Sequence, residues 1–214
     1  MPRRALRKID PAVDLSASLF AGEQLPRPLD LQALFPRPAP LEIEVGSGKG
    51  LFVSAASERR PERNFLGIEV SHKYARFAAG RLAKAGRANA RVIDGDALAL
   101  LADAPDGAAA ALHVYFPDPW WKKRHKKRRV MCERFLRDIE RLLEPGGSLH
   151  FWTDVEEYFR TTLELIAQVT ALAGPFDVPE SPAEHDLDYR THFERRMRHS
   201  GLPVYRSEFR KPTT

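Results

Sequence analysis

Four carboxylates in this chain stand where apolar runs end: Glu44 after Leu41-Glu42-Ile43, Glu69 after Phe65-Leu66-Gly67-Ile68, Asp96 just past Val92-Ile93, and Asp118 after Val114-Tyr115-Phe116. Short apolar runs of this kind read as buried strands. In an open α/β sheet the C-terminal strand ends line the ligand crevice, so the four acids are expected on one rim. Asp118 has the most distinctive setting. Pro117 and Pro119 flank it and forbid any further strand ladder, which locks one carboxylate in a rigid turn. Trp120 and Trp121 follow, then a basic block from Lys122 to Arg129 broken only by His125. A charge run by itself is ordinarily a solvated face. A solvated face has no use for a locked acidic turn, so the combination predicts an active site that works on a polyanion. Asp118 is its expected catalytic residue, and Arg124, His125, Lys126, Lys127, Arg128 and Arg129 are its expected phosphate contacts.

The segment Glu42-Ile43-Glu44-Val45-Gly46-Ser47-Gly48-Lys49-Gly50 falls where the first regular strand should turn into a helix. Glycines there let a ligand approach the backbone closely. The spacing is GxGxG, which matches neither the dinucleotide fingerprint nor a Walker loop. Alone it fits a tight turn without a ligand nearly as well. Glu69 changes the balance, because it follows Gly46 at about the 20-residue offset from which an acid reaches ribose hydroxyls. A carboxylate rim suits a cationic, hydroxyl-rich ligand and repels a pyrophosphate. S-adenosylmethionine, with its sulfonium, α-amino group and ribose, fits; NAD does not. The expected cofactor residues are Glu44, Gly46, Gly48, Glu69, Asp96 and Asp118. For Asp96 the alternative is a helix cap.

To position these residues the chain needs a parallel sheet covered by helices. β-type runs at Leu41–Val45, Asn64–Val70, Ala90–Ile93, Ala109–Phe116 and Gly147–Thr153 alternate with helical stretches at Gly50–Arg59, Ser71–Ala85, Val130–Leu143 and Val155–Leu172. Pro145-Gly146-Gly147 is a helix stop. Beyond Gly174 come a short strand near Phe176, a helix around Thr191–His199 and a closing strand Val204–Phe209. The expected fold class is α/β, with a mostly parallel twisted sheet, helices on both faces and a late antiparallel strand, which is the order expected of a Rossmann-like class I methyltransferase sheet. Residues 1–40, with Pro26, Pro28, Pro36, Pro38 and Pro40, read as an irregular basic arm on a single domain spanning 41–214.

The 214 residues, 43% hydrophobic and 29% charged, are ordinary for a globular domain, and the net charge of +5 favours nucleic acid as partner over membrane. One cysteine, Cys132, rules out an internal disulfide and a cysteine-cluster zinc site, and is expected reduced. The histidines lack metal-ligand spacing, so no metal is expected. The start MPRRALRKID is basic without an apolar stretch behind it, which predicts a cytoplasmic protein; a transit peptide is the alternative, weakly opposed by Asp10 and Asp14.

FPDPWWKKRHKKRR, from Phe116 to Arg129, resembles the signature of the bacterial tRNA (guanine-N7)-methyltransferases, which carry proline where this chain has Trp121. The resemblance covers Leu41 to Phe209 and ends in Gly201-Leu202-Pro203-Val204-Tyr205-Arg206. It implies that Glu44, Glu69, Asp96 and Asp118 contact S-adenosylmethionine. It also implies that Lys122, Asp154 and Thr191-His192-Phe193-Glu194 contact tRNA, with guanosine 46 of the variable loop as target.

Guanine N7 carries a lone pair and no hydrogen, so methylating it requires alignment and electrostatics instead of a general base. Telling guanine from adenine requires an acceptor for its N1–H and N2 amino donors. Glu194 is the expected reader, supported by Asp154 and Thr191, with a helix cap as the alternative role for Asp154. Two other classes compete. A non-catalytic RNA-binding protein on a methyltransferase scaffold would not need intact acids at four strand ends. A small-molecule or protein methyltransferase, or an aminopropyltransferase, would not need the basic block.

Overall fold

The computed structural model describes residues 6, 9–183, 185 and 188–213, and of Lys123, Lys126 and Lys127 it describes the backbone only. Eight strands form one sheet: β1 (Leu19–Ala21), β2 (Leu41–Val45), β3 (Asn64–Glu69), β4 (Ala90–Asp94), β5 (Ala109–Tyr115), β6 (Leu143–Thr153), β7 (Ala173–Asp177) and β8 (Tyr205–Arg210), in the order β1-β4-β3-β2-β5-β6-β8-β7. The strands from β1 to β6 pair in parallel, while β8 runs antiparallel to both β6 and β7. Every residue of β2, β3 and β5 is buried, as expected of parallel strands covered on both faces.

The period-2 alternation sorts the strand residues between two cores. Leu41, Ile43, Leu66, Ile68, Leu112 and Val114 pack in one, with Leu100 of α3 (Ala97–Ala102), Phe135 and Ile139 of α4 (Glu133–Leu142), and Tyr158 and Ile166 of α5 (Glu156–Val169). Phe65, Val92, Tyr115 and Trp152 face the other way, against Phe52 and Val53 of α1 (Leu51–Arg59) and Ala75, Ala78 and Leu82 of α2 (His72–Lys84). Truncating a fully buried ring such as Phe65 or Phe135 to alanine costs about 3–5 kcal/mol at sites of this kind.

Three elements differ from expectation. The arm before Leu41 is not wholly irregular, because Leu19, Phe20 and Ala21 extend the sheet beside β4, and Leu29, Leu31 and Phe35 enter the core. A three-residue strand is too short to leave a period to read. Helix α3, a six-residue run of alanine and leucine, likewise has no polar face from which to read a helical period. Strand β6 starts at Leu143, before the expected stop, and the shift of register between Ala109 and Ala111 absorbs the irregularity. The order of connections reverses around β2, which lies between β3 and β5. That reversal is the switch point where α/β sheets open a ligand crevice.

Candidate active site

A crevice of about 380 Å³ opens at this switch point, lined by Val45, Gly46, Ile68, Glu69, Val70, Gly95, Asp96, Tyr115, Phe116, Pro117, Asp118, Trp120 and Arg128 among others. Three of the four expected acids thus face one space. A larger cavity of about 810 Å³ lies along Glu42, Arg60, His113 and Ser148, toward the N-terminal half of the strands. It gathers none of the strand-end acids, and its arginines Arg60 and Arg63 are already paired with Glu42. The smaller crevice is therefore the candidate site.

Glu69 accepts from the Gly48 amide at 2.8 Å through one oxygen and from the Ser71 amide at 2.9 Å through the other, so it ties the glycine turn to the end of β3. Gly46 and Gly48 take φ of 75° and 54°, and a Cβ at either position would meet no atom within 4 Å. The turn is thus shaped by left-handed backbone with open space over it, which is the cradle a ligand needs. Glu44 lies behind this turn and is buried, and one of its carboxyl oxygens has no partner among the described residues. Burial, then the adjacent Glu69 carboxylate, push its pKa well above the usual carboxylate range against a hydrogen bond from the Val53 backbone. Without a cation beside it, the setting of Glu44 favours its protonated form. Asp96 caps α3, accepting from the Leu98 amide at 2.9 Å, and it also faces the crevice. The cap reading of Asp96 holds, and its carboxylate also lies on the crevice wall.

Asp118 is exposed and makes no hydrogen bond among the described residues. Its turn is bracketed by two non-glycine residues in left-handed backbone, Phe116 at φ 50° and Trp120 at φ 46°. Such conformations cost on the order of 1–3 kcal/mol each and persist only where the surroundings impose them. Here the Phe116 amide donates to the Trp152 carbonyl at 2.8 Å, and the Phe116 ring lies 5.2 Å from that of Phe193. Trp120 is held by the Arg128 guanidinium, 5.1 Å from its ring centre.

The basic block forms a short 3₁₀ turn, Lys123–Arg128. Lys122, Arg124 and Arg128 are exposed and His125 is half-buried against the edge of Trp120; the side chains of Lys126 and Lys127 lie outside the described residues. Arg129 departs from expectation. It is buried, donates to the Pro119 carbonyl at 2.8 Å, pairs with Glu157 at 2.9 Å and stacks 4.4 Å above Tyr158. It braces the Asp118 turn from below and presents no guanidinium to a phosphate.

The C-terminal segment also differs. Helix α6 (His192–His199) is capped by Thr191, whose hydroxyl accepts from the Glu194 amide at 3.0 Å. Glu194 is buried: one oxygen takes the Arg190 amide at 2.7 Å and the other faces Arg198 and Arg206, each at 3.4 Å. Glu194 thus reaches back past the cap to the residue before it, and with the two arginines both of its oxygens are engaged. Asp154, in contrast, does not cap α5; Thr153 takes the Val155 amide at 3.2 Å, and Asp154 stays half-buried without a hydrogen bond among the described residues.

Sequence reasoning passed over Arg190. Its guanidinium reaches the Tyr115 hydroxyl at 3.2 Å and lies 5.0 Å from the Trp152 ring centre, anchoring the start of α6 to the sheet. Tyr115 in turn bonds His113 at 2.8 Å, and His113 bonds Glu42 at 2.8 Å. Burial opposes the charge on Glu42, but the His113 hydrogen bond and the charges of Arg60 and Arg63 outweigh it and hold its pKa low. Burial keeps His113 neutral. No local pattern marks this chain of contacts, because its members come from β2, β5 and the loop before α6.

Comparison with known proteins places this geometry. Residues 38–207 match the model of a family described as "Putative methyltransferase". The tRNA (guanine-N(7)-)-methyltransferase of Rhodopirellula baltica is 53% identical over 99% of this chain and 80% of its own length. The chain belongs to the tRNA (guanine-N7)-methyltransferase family. The Myxococcus xanthus member of this family is 38% identical, over 86% of this chain and 90% of its own length. Among solved structures, the antibiotic-resistance methyltransferase Kmr superposes with a TM-score of 0.58 at 18% identity, over 86% of this chain and 92% of that one. The precorrin-6y C5,15-methyltransferase of Geobacter metallireducens GS-15 superposes at 0.56 and 16% identity, with 82% of each chain covered. These two show the class I methyltransferase fold that this member of the tRNA (guanine-N7)-methyltransferase family shares. No helix among its described residues is long and apolar enough to cross a membrane.

Proposed function

We propose that the protein transfers the methyl group of S-adenosylmethionine to N7 of guanine in tRNA, at guanosine 46 of the variable loop. The observation that carries this reading is the crevice at the switch point, where Glu69, Asp96 and Asp118 meet the open Gly46 turn beside an exposed cationic face. The residues fit the cofactor. The unpartnered Glu44 oxygen suits an ammonium group, Glu69 and Asp96 retain lone pairs for ribose hydroxyls, and the glycine turn leaves room. S-adenosylmethionine supplies an electrophilic methyl group on a sulfonium.

The chain's own residues then have four tasks. Glu44, Gly46, Glu69 and Asp96 hold the cofactor against the sheet. Lys122, Arg124 and Arg128 face solvent and engage phosphates, which position RNA without reading its sequence. Asp154, with a free carboxylate where Glu194 has none, accepts the N1–H and N2 donors of guanine. Asp118 stabilises the positive charge that passes to the purine; it removes no proton, because N7 carries none. Its exposure and lack of a competing hydrogen bond suit an electrostatic role. The test is nucleoside analysis of tRNA incubated with the protein and S-adenosylmethionine, where 7-methylguanosine is expected. Its absence from every tRNA, with the cofactor bound, would leave a non-catalytic RNA-binding protein as the better reading.

A further inference from the structure

We propose that Trp121 is a stacking platform for an unpaired RNA base next to the nucleotide whose guanine enters the crevice; this rests on the tRNA reading above. The side chain is 68% exposed and has no ring partner among the described residues, whereas its neighbour Trp120 lines the crevice and is pinned by Arg128 and His125. The left-handed backbone at Trp120 turns the chain sharply and sets the next side chain outside the wall. Single exposed apolar residues are common and need no explanation. An indole fixed between a strained catalytic turn and the exposed cations Lys122, Arg124 and Arg128 is a different case. A ligand that satisfies both must carry negative charge at intervals and a flat π-face between the charges. Single-stranded nucleic acid has both, and aromatic platforms beside cationic grooves are how proteins hold it. Trp121 lies three positions after Asp118 in the chain, at most about 11 Å, so the stacked base lies one or two nucleotides from the target.

The test compares wild-type enzyme with W121A and W121F on intact tRNA and on tRNAs made abasic at each position flanking the target guanosine. W121A is expected to lose about 5- to 150-fold in kcat/KM, the range of one base–aromatic stack, while W121F stays within about 5-fold of wild type. One abasic tRNA should be penalised with wild-type enzyme and not with W121A, since the two changes remove the same contact. Affinity for S-adenosylmethionine should be unchanged in both variants, which reports an intact turn. Should W121A lose cofactor affinity, W121L takes its place, keeping apolar bulk without a π-face, and the same abasic comparison decides. Unchanged kcat/KM in W121A, or equal abasic penalties in wild type and variant, would overturn the proposal. Failure of wild-type enzyme to form 7-methylguanosine is a different result, against the parent reading. Stacking would then be read from tRNA quenching of tryptophan fluorescence, expected in wild type and reduced in W121F; equal quenching would overturn it.

Discussion

Glu44 is a carboxyl buried beside another carboxylate, and that setting makes its protonation the most informative single-residue readout. Burial and the neighbouring Glu69 raise its pKa and favour the protonated carboxyl until a cation, such as the ammonium group of the proposed cofactor, pairs with it. Binding of S-adenosylmethionine at neutral pH is therefore expected to release up to one proton and to tighten as pH rises. Calorimetry in buffers of different ionisation enthalpy checks this, and the release should disappear in Glu44→Gln; a buffer-independent heat in wild type would remove the role. The stability sign is opposite. A carboxyl with raised folded pKa contributes below its ordinary value of 4.5 and loses that contribution as pH climbs toward the folded value. Glu44→Gln should accordingly raise Tm at pH 8 while weakening cofactor binding. Asp118→Asn should lower the single-turnover methylation rate on the order of 100-fold, by removing one preorganised charge from the path of the methyl group. The acids at strand ends were legible because an apolar run followed by a carboxylate is a local pattern. Glu194 and Arg129 were not, since only remote partners (Arg206 for one, Pro119 and Tyr158 for the other) turn them inward.

Among the elements, two arginines determine how well the site holds its shape. Arg129 clamps the carbonyl of Pro119, and Arg190 clamps the start of α6 against Tyr115 and Trp152. Arg129→Met should let the Asp118 turn relax, and small misplacements of a reacting group cost up to about 100-fold in rate. The expected signature is a fall in kcat with cofactor affinity nearly unchanged. Arg190→Met should instead raise KM for tRNA on the order of 10-fold, because it frees the C-terminal segment and leaves the crevice acids in place. Steady-state kinetics with tRNA as the varied substrate separate the two; identical kcat and KM effects in both variants would contradict the division. The strands β2 to β6 were readable from apolar runs between glycine and proline punctuation. Strand β1 and helix α3 were not, since a three-residue strand and a six-residue uniformly apolar helix carry no period.

At the scale of the whole molecule, the sheet buries a polar layer that sets its acid stability. His150 is stacked on His113 at 4.7 Å, and burial pulls its pKa down to about 2 from 6.5. A histidine depressed in this way contributes its full stability above the unfolded value of 6.5 and loses it as pH falls toward the folded one. Each such group costs about 1.4 kcal/mol per pH unit below 6.5, so urea unfolding between pH 5 and 7 should show that slope, reduced in His150→Phe. The same sheet carries the crevice and the cationic face to one end of the molecule, where the proposed reaction falls on N7 of a single nucleotide. Labelled-methyl transfer to two tRNAs differing only in guanosine or 7-deazaguanosine at position 46 tests it most directly. The account predicts one methyl per guanosine tRNA and none on the 7-deaza substrate, which has no N7 lone pair. Equal labelling of the two would contradict it.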